Sequence, residues 1–87
     1  MPGVARVGVD SAGGTIIGDL APTVIVNGSP IAVKGAAVAG HGFGPHGSPV
    51  MDGSSGDVYA NGILICRAGD AATCGDTASG SIDVVAD

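Results

Sequence analysis

The chain has almost no aromatic residues. Phe43 and Tyr59 are the only two, and tryptophan is missing from all 87 residues. A chain of this length buries only about 60–65% of the surface it exposes when unfolded. Without large rings its interior must be built from Val, Ile and Ala, which favour flat, closely packed strands over a bulky globular centre. Basic residues are just as scarce: three Lys and Arg face eight acidic residues, for a net charge of −5. That balance excludes a phosphate-binding surface, so neither nucleic acid nor an anionic membrane is expected as a standing partner. No apolar run approaches membrane-spanning length, and no charged, then apolar, then small-residue pattern opens the chain as a signal peptide does. Helix signals are weak as well. The longest alanine-rich stretch, GAAVAG (35–40), is short and bracketed by glycine. Cysteine occurs twice, as Cys66 and Cys74. The two can pair, but one bridge does not make a disulfide scaffold.

What the chain does have is glycine, seventeen of them, with five prolines. Such a content borders on disorder, but 45% hydrophobic residues argue for a folded chain in which glycine serves tight turns. A repeat is visible in TVIVNG (23–28), DVYANG (57–62) and DVVAD (83–87). Val24, Val58 and Val84 share its second position, and Val26, Ala60 and Ala86 its fourth. Both positions lie on one side of a strand, so that side faces the core. Its fifth position holds Asn27, Asn61 or Asp87. After each Asn-Gly comes a second apolar run, SPIAVKG (29–35) or ILICRAG (63–69). Asn-Gly between two such runs predicts a hairpin with positive φ at both turn residues. VARVG (4–8) aligns with IAVKG and ICRAG, which places Cys66 beside Ala5 and Ala32 as a small buried residue. The chain thus starts and ends inside a unit that occurs about three times. A unit this short cannot bury a face alone, so the copies must pack on one another. The expected fold is all-β: a small cone of three pseudo-repeated short hairpins in pseudo-threefold arrangement, forming a single domain over 1–87. The linkers GVDSAGG (8–14), GAAVAGHG (35–42) and GDAATCGD (69–76) then converge at one end, with Asp10–Ala12, His41 and Cys74 near each other.

Both histidines, His41 and His46, sit in the glycine-rich stretch HGFGPHG (41–47). Imidazole nitrogen and thiolate sulfur are ligands that zinc prefers, and loops can bring them to one point from several directions. His41, His46 and Cys74 are therefore candidate metal ligands. Spacing alone leaves the alternative of two exposed loop histidines and a small thiol. Ser48 beside His46 suggests hydrolysis only if an oriented base and a cleft accompany it. The glycine pairs do not match a phosphate loop, and no P-loop lysine follows. The aspartates Asp52, Asp57, Asp70, Asp76 and Asp83 fall at turns or strand starts, where Asp is common.

The stretches VARVGVD…GGTIIG (4–18), TVIVNGSPIAVKG (23–35), HG (41–42), DVYANGILICRAGD (57–70) and TCG (73–75) together resemble the PAAR-repeat proteins. Four signature positions read PIAV (30–33) and LICR (64–67) here, a degraded form, while the Asn-Gly and Gly-Asp frame survives. The resemblance implies a β-rich cone capping a trimeric β-helical spike, either the valine–glycine repeat protein of type VI secretion or the central spike of a phage tail. One cap would sit on each trimer and touch a target membrane only transiently. It implies a non-enzymatic protein, made in the bacterial cytoplasm without a signal peptide, that ends at a virion tail tip or is exported by the secretion machine. It also implies an apical zinc, with iron as the other candidate, held by three histidines and a cysteine. His41, His46 and Cys74 match three of those positions, and Ala12 stands where the remaining histidine is expected. Three protein ligands plus water, a substituting carboxylate such as Asp10, or a metal-free site are the alternatives this leaves. A small metal-dependent hydrolase and a cargo adaptor are the competing functions. The turns Asn27–Gly28 and Asn61–Gly62, far from the metal loops, are candidates for the spike-facing base.

Overall fold

The computed structural model describes residues 2–86; Asp87, the fifth position of the last repeat, lies outside them. Among the described residues the fold is all-β apart from one short 3₁₀ turn, Gly44–His46. Its named strands are β1 (Ser11–Ala12), β2 (Gly14–Thr15), β3 (Ile25–Val26), β4 (Ser29–Pro30), β5 (Tyr59–Ala60) and β6 (Ile63–Leu64), paired as three antiparallel ladders. These strands are two residues long, shorter than the flat strands expected from composition. The rest of the pairing is made by isolated bridges, because the chain turns away after each short contact instead of running on beside one partner.

The two Asn-Gly hairpins form as their sequence dictates. Val26 pairs with Ser29 and Ala60 with Ile63, leaving two-residue turns. Asn27 and Gly28 have φ of 52° and 82°, and Asn61 and Gly62 have 51° and 80°. Asn tolerates this region at modest cost and Gly at none, as a primed turn requires. The third copy is assembled from the two ends of the chain: Gly3 bridges Val85, and the Ala86 amide donates to the Pro2 carbonyl. The backbone carbonyls of Val24, Val58 and Val84 accept from the amides of Ile31, Ile65 and Val4 at 2.8, 3.0 and 2.8 Å.

At the centre the three copies close a cycle. Ala32 donates to Ala5, Cys66 donates to Ala32, and Ala5 donates to Cys66, at 3.0, 2.9 and 3.0 Å. Flanking bridges follow the same order: Arg6 with Ile31, Val33 with Ile65, and Val4 with Arg67. Ala5, Ala32 and Cys66 are completely buried, and each is small. The expected pseudo-threefold arrangement is consistent with this ring and with overall extents of 32 × 23 × 22 Å, one long axis and two nearly equal short ones.

Alternation along these short segments divides the interior in two. Val4, Ile31, Ile65 and Val33 join Val26, Ala60 and Ala86 in one cluster, at the hairpin end. Ala5, Ala32 and Cys66 join Ala12, Ile16, Val38, Met51 and Ala72 in the other. Val24, Val58 and Val84 pack partly buried against the first cluster, on the side that the repeat assigned to the core. The linkers are themselves ordered: Gly8, Gly35 and Gly69 donate to the carbonyls of Ile16, Met51 and Ala78 at 2.7–2.8 Å. The segment 8–14 also contains β1 and the start of β2, so it folds as part of a tight ladder and is more than a connector.

Candidate metal centre

Residues 41–47 form a closed loop. The His41 amide donates to the His46 carbonyl at 2.9 Å, and within that loop His46 and Gly47 donate to Phe43 and Gly44. The loop places the two imidazoles edge to face, with centroids 5.0 Å apart. A second tight turn faces it. Gly75 donates to the Ala72 carbonyl and Ala72 to the Asp76 carbonyl, which sets the side chains of Cys74 and Asp76 on the same side. Cys74 packs against the core cluster that contains Ala12, Met51 and Ala72.

Four ligand-type atoms from these two turns meet within 4.8 Å of one another, on His41, His46, Cys74 and Asp76. His41 Nε2 lies 2.8 Å from Asp76 Oδ2, 3.1 Å from His46 Nδ1 and 3.7 Å from Cys74 Sγ. Asp76 Oδ2 lies 3.4 Å from His46 Nδ1 and 3.6 Å from Cys74 Sγ. Ligands bound tetrahedrally to zinc at about 2.0–2.3 Å stand about 3.3–3.6 Å from each other. The observed separations bracket that range, so the residues present fit an ion of this kind.

The outer contacts also suit a ligand set. His41 Nδ1 lies 2.9 Å from the Ala39 carbonyl oxygen. A carbonyl only accepts, so Nδ1 carries the proton and Nε2 is the nitrogen turned toward the cluster. The Ala39 carbonyl first, and the Asp76 carboxylate after it, hold the His41 imidazole above its ordinary value. The hydrogen bond from His41 is the largest cause holding Asp76 below the usual carboxylate range. On the remaining side the β1–β2 turn presses close: at Gly13, with φ of 85°, an added Cβ would strike both Asp76 Oδ2 and His41 Nε2. Only glycine gives the backbone that approach.

The structure thus brings His41, His46 and Cys74 together, as the sequence predicts, and adds Asp76, which sequence reasoning assigned to an ordinary turn. The available signal was Cys74-Gly75-Asp76, two ligand-type residues on either side of a glycine. Asp10, the carboxylate that the sequence offered as a substitute ligand, is used elsewhere. It accepts from the Arg6 guanidinium at 2.8 Å and from the Ser79 hydroxyl at 2.8 Å. Burial pushes the Asp10 carboxyl up, but the Arg6 and Ser79 hydrogen bonds outweigh it and hold the group low. Arg67 and Asp70 repeat this pair in another copy. Both cysteines are free thiols. Ser48 is exposed.

An all-β fold closed by a three-way ring, with nitrogen, sulfur and oxygen donors converging from its connecting turns, defines a small β domain with a candidate structural metal site. The chain matches the model of the PAAR motif over residues 7–80 and belongs to that family. Membership implies a spike-tip role in contractile injection systems, in a family of structural proteins associated with spike complexes. No curated protein matches the chain. Among the described residues, no helix is long and apolar enough to cross a membrane.

Proposed function

We propose that this protein caps and sharpens the trimeric β-helical spike of a contractile injection system, in type VI secretion or a phage tail, with one copy per trimer. The observation that carries this reading is the family match over residues 7–80. The closed ring of three like segments supports it, since one chain with three similar faces suits a threefold partner. Residues 1–87 act as a single PAAR-repeat domain. The hairpin end, with the Asn27–Gly28 and Asn61–Gly62 turns, faces the spike, and the opposite end leads through the target membrane.

His41, His46 and Cys74 are the metal ligands in this reading, and zinc suits two imidazoles with a thiolate. When bound, the ion supplies a cross-link between the 41–47 loop and the 74–76 turn. The chain's own residues prepare that cross-link: Ala39 fixes the His41 tautomer, and the His41–His46 backbone bond holds the loop closed. The result is a tip whose turns do not fray under load.

The test is to mix purified protein with a candidate trimeric spike and measure complex mass by light scattering, with elemental analysis of the same sample. One copy per three spike chains is the expected stoichiometry. Equimolar binding, or no binding to any such spike, overturns the capping role.

A further inference from the structure

We propose that Asp76 is the fourth ligand of the metal centre, binding through Oδ2 alone and closing a His–His–Cys–Asp shell. The inference rests on the reading of His41, His46 and Cys74 as ligands and adds the group that completes them.

One oxygen does the work. Asp76 Oδ2 faces His41 Nε2 at 2.8 Å, His46 Nδ1 at 3.4 Å and Cys74 Sγ at 3.6 Å. A counter-ion to His41 needs only the first of these contacts, whereas this single oxygen also takes up the Cys74 thiol and the second imidazole. Once His41 and Cys74 give up the protons they share with Asp76, all four atoms offer a lone pair toward one point, as a tetrahedral cation requires.

Charge supports the same assignment. A thiolate and a carboxylate with two neutral imidazoles balance a divalent cation, so the filled site carries no net charge. Two imidazoles and a thiolate alone would leave the filled site with one positive charge, which the Asp76 carboxylate cancels. Space supports it as well. The Gly13 backbone lies against Asp76 Oδ2 and His41 Nε2 where a side chain would clash, so position 13 itself supplies no ligand on that flank. With Asp76 in place the tetrahedron is full, and it lacks the open position that metal-activated water requires. This is the arrangement of a structural centre.

The experiment uses the full chain and its D76N and D76A variants, loaded with zinc or with cobalt(II) as a spectroscopic probe. Zinc affinity is read by competition with a chromophoric chelator, and cobalt geometry by visible absorption. Both variants are expected to bind zinc at least about 100-fold more weakly, at or beyond the upper end of what loss of an outer-shell partner costs. They should keep the thiolate-to-cobalt charge-transfer band while the d–d bands change, as water replaces the carboxylate. D76N preserves shape, so it decides the question if D76A fails to fold. Unchanged zinc affinity and unchanged d–d bands in D76N overturn Asp76 as a ligand while leaving the other three standing. A wild-type chain that takes up neither zinc nor cobalt overturns the metal centre itself, and Asp76 with it.

Discussion

Gly3 and Val85, 82 positions apart in the sequence, form an antiparallel bridge. Through it the two ends of the chain build the third copy of the hairpin unit. Ala86 stands opposite Pro2 as Val26 stands opposite Ser29, on either side of a two-residue turn. Joining Ala86 to Pro2 through an Asn-Gly pair, in a backbone-cyclised chain, should therefore complete the turn without strain. Removing the free ends from the unfolded ensemble stabilises a fold by about 2–4 kcal/mol when a cross-link does it. The cyclised form should melt at least about 10 °C higher, read by far-ultraviolet circular dichroism. A lower midpoint would show that the ends do not meet in this register.

Removal of the ion should loosen the fold. Binding at about 1,000 times the dissociation constant contributes about 4 kcal/mol, a large share of what an 87-residue chain can hold. Chelation should lower the melting midpoint by about 15–30 °C, and added zinc should restore it. His46→Ala should show the lower midpoint from the start, bind little metal and, if the hairpin end is the docking face as proposed, still associate with the spike. A stable variant with unchanged metal content would contradict the cross-link.

The two thiols should behave differently. Burial, more than any neighbouring charge, pushes the Cys66 thiol up to about 12, and the side chain is fully enclosed. Its thiolate is therefore negligible at pH 8 and it should resist iodoacetamide in the folded protein. Cys74 is half-buried and should take one label per chain after chelation and none with zinc present. Mass spectrometry of the labelled protein checks this, with both cysteines labelled in denaturant as the reference.

The Arg6–Asp10 pair gives the fold a dependence on acid. Asp10 is held below its unfolded value, so its contribution is fully present above the usual carboxylate range of about 3.9 and is lost as pH falls through the depressed folded value. Arg6 stays charged throughout. Asp10→Asn should cost about 1–3 kcal/mol near neutral pH, the worth of hydrogen bonds to a charged group, or roughly 5–20 °C. The gap between wild type and variant should narrow below pH about 4. A constant gap down to pH 2 would show that the ionised form of Asp10 contributes nothing.

The hairpins were legible because their cause is local. Asn-Gly demands a primed turn, and the alignment of Val24, Val58 and Val84 marks one face without reference to the rest of the chain. The alignment of Cys66 with Ala5 and Ala32 was enough to read it as small and buried. Asp76 was not legible as part of the site, since an aspartate in a glycine-rich turn looks the same whether it caps the turn or faces a histidine 35 positions away. Asp10, one of the alternatives offered for the remaining position, is engaged elsewhere for a local reason. It lies in the linker that converges on the site, but Arg6, four residues earlier, claims it first.

Composition and repeat, taken alone, determined an all-β chain of small side chains, three like segments and two local turns, because φ preferences and strand alternation act over a few residues. Tertiary structure decided that the segments close on themselves through Ala5, Ala32 and Cys66, that the chain ends supply the missing hairpin, and that Asp76 joins the histidines. Those outcomes depend on which distant backbones can approach within hydrogen-bonding distance, and that is settled only when all three copies pack at once.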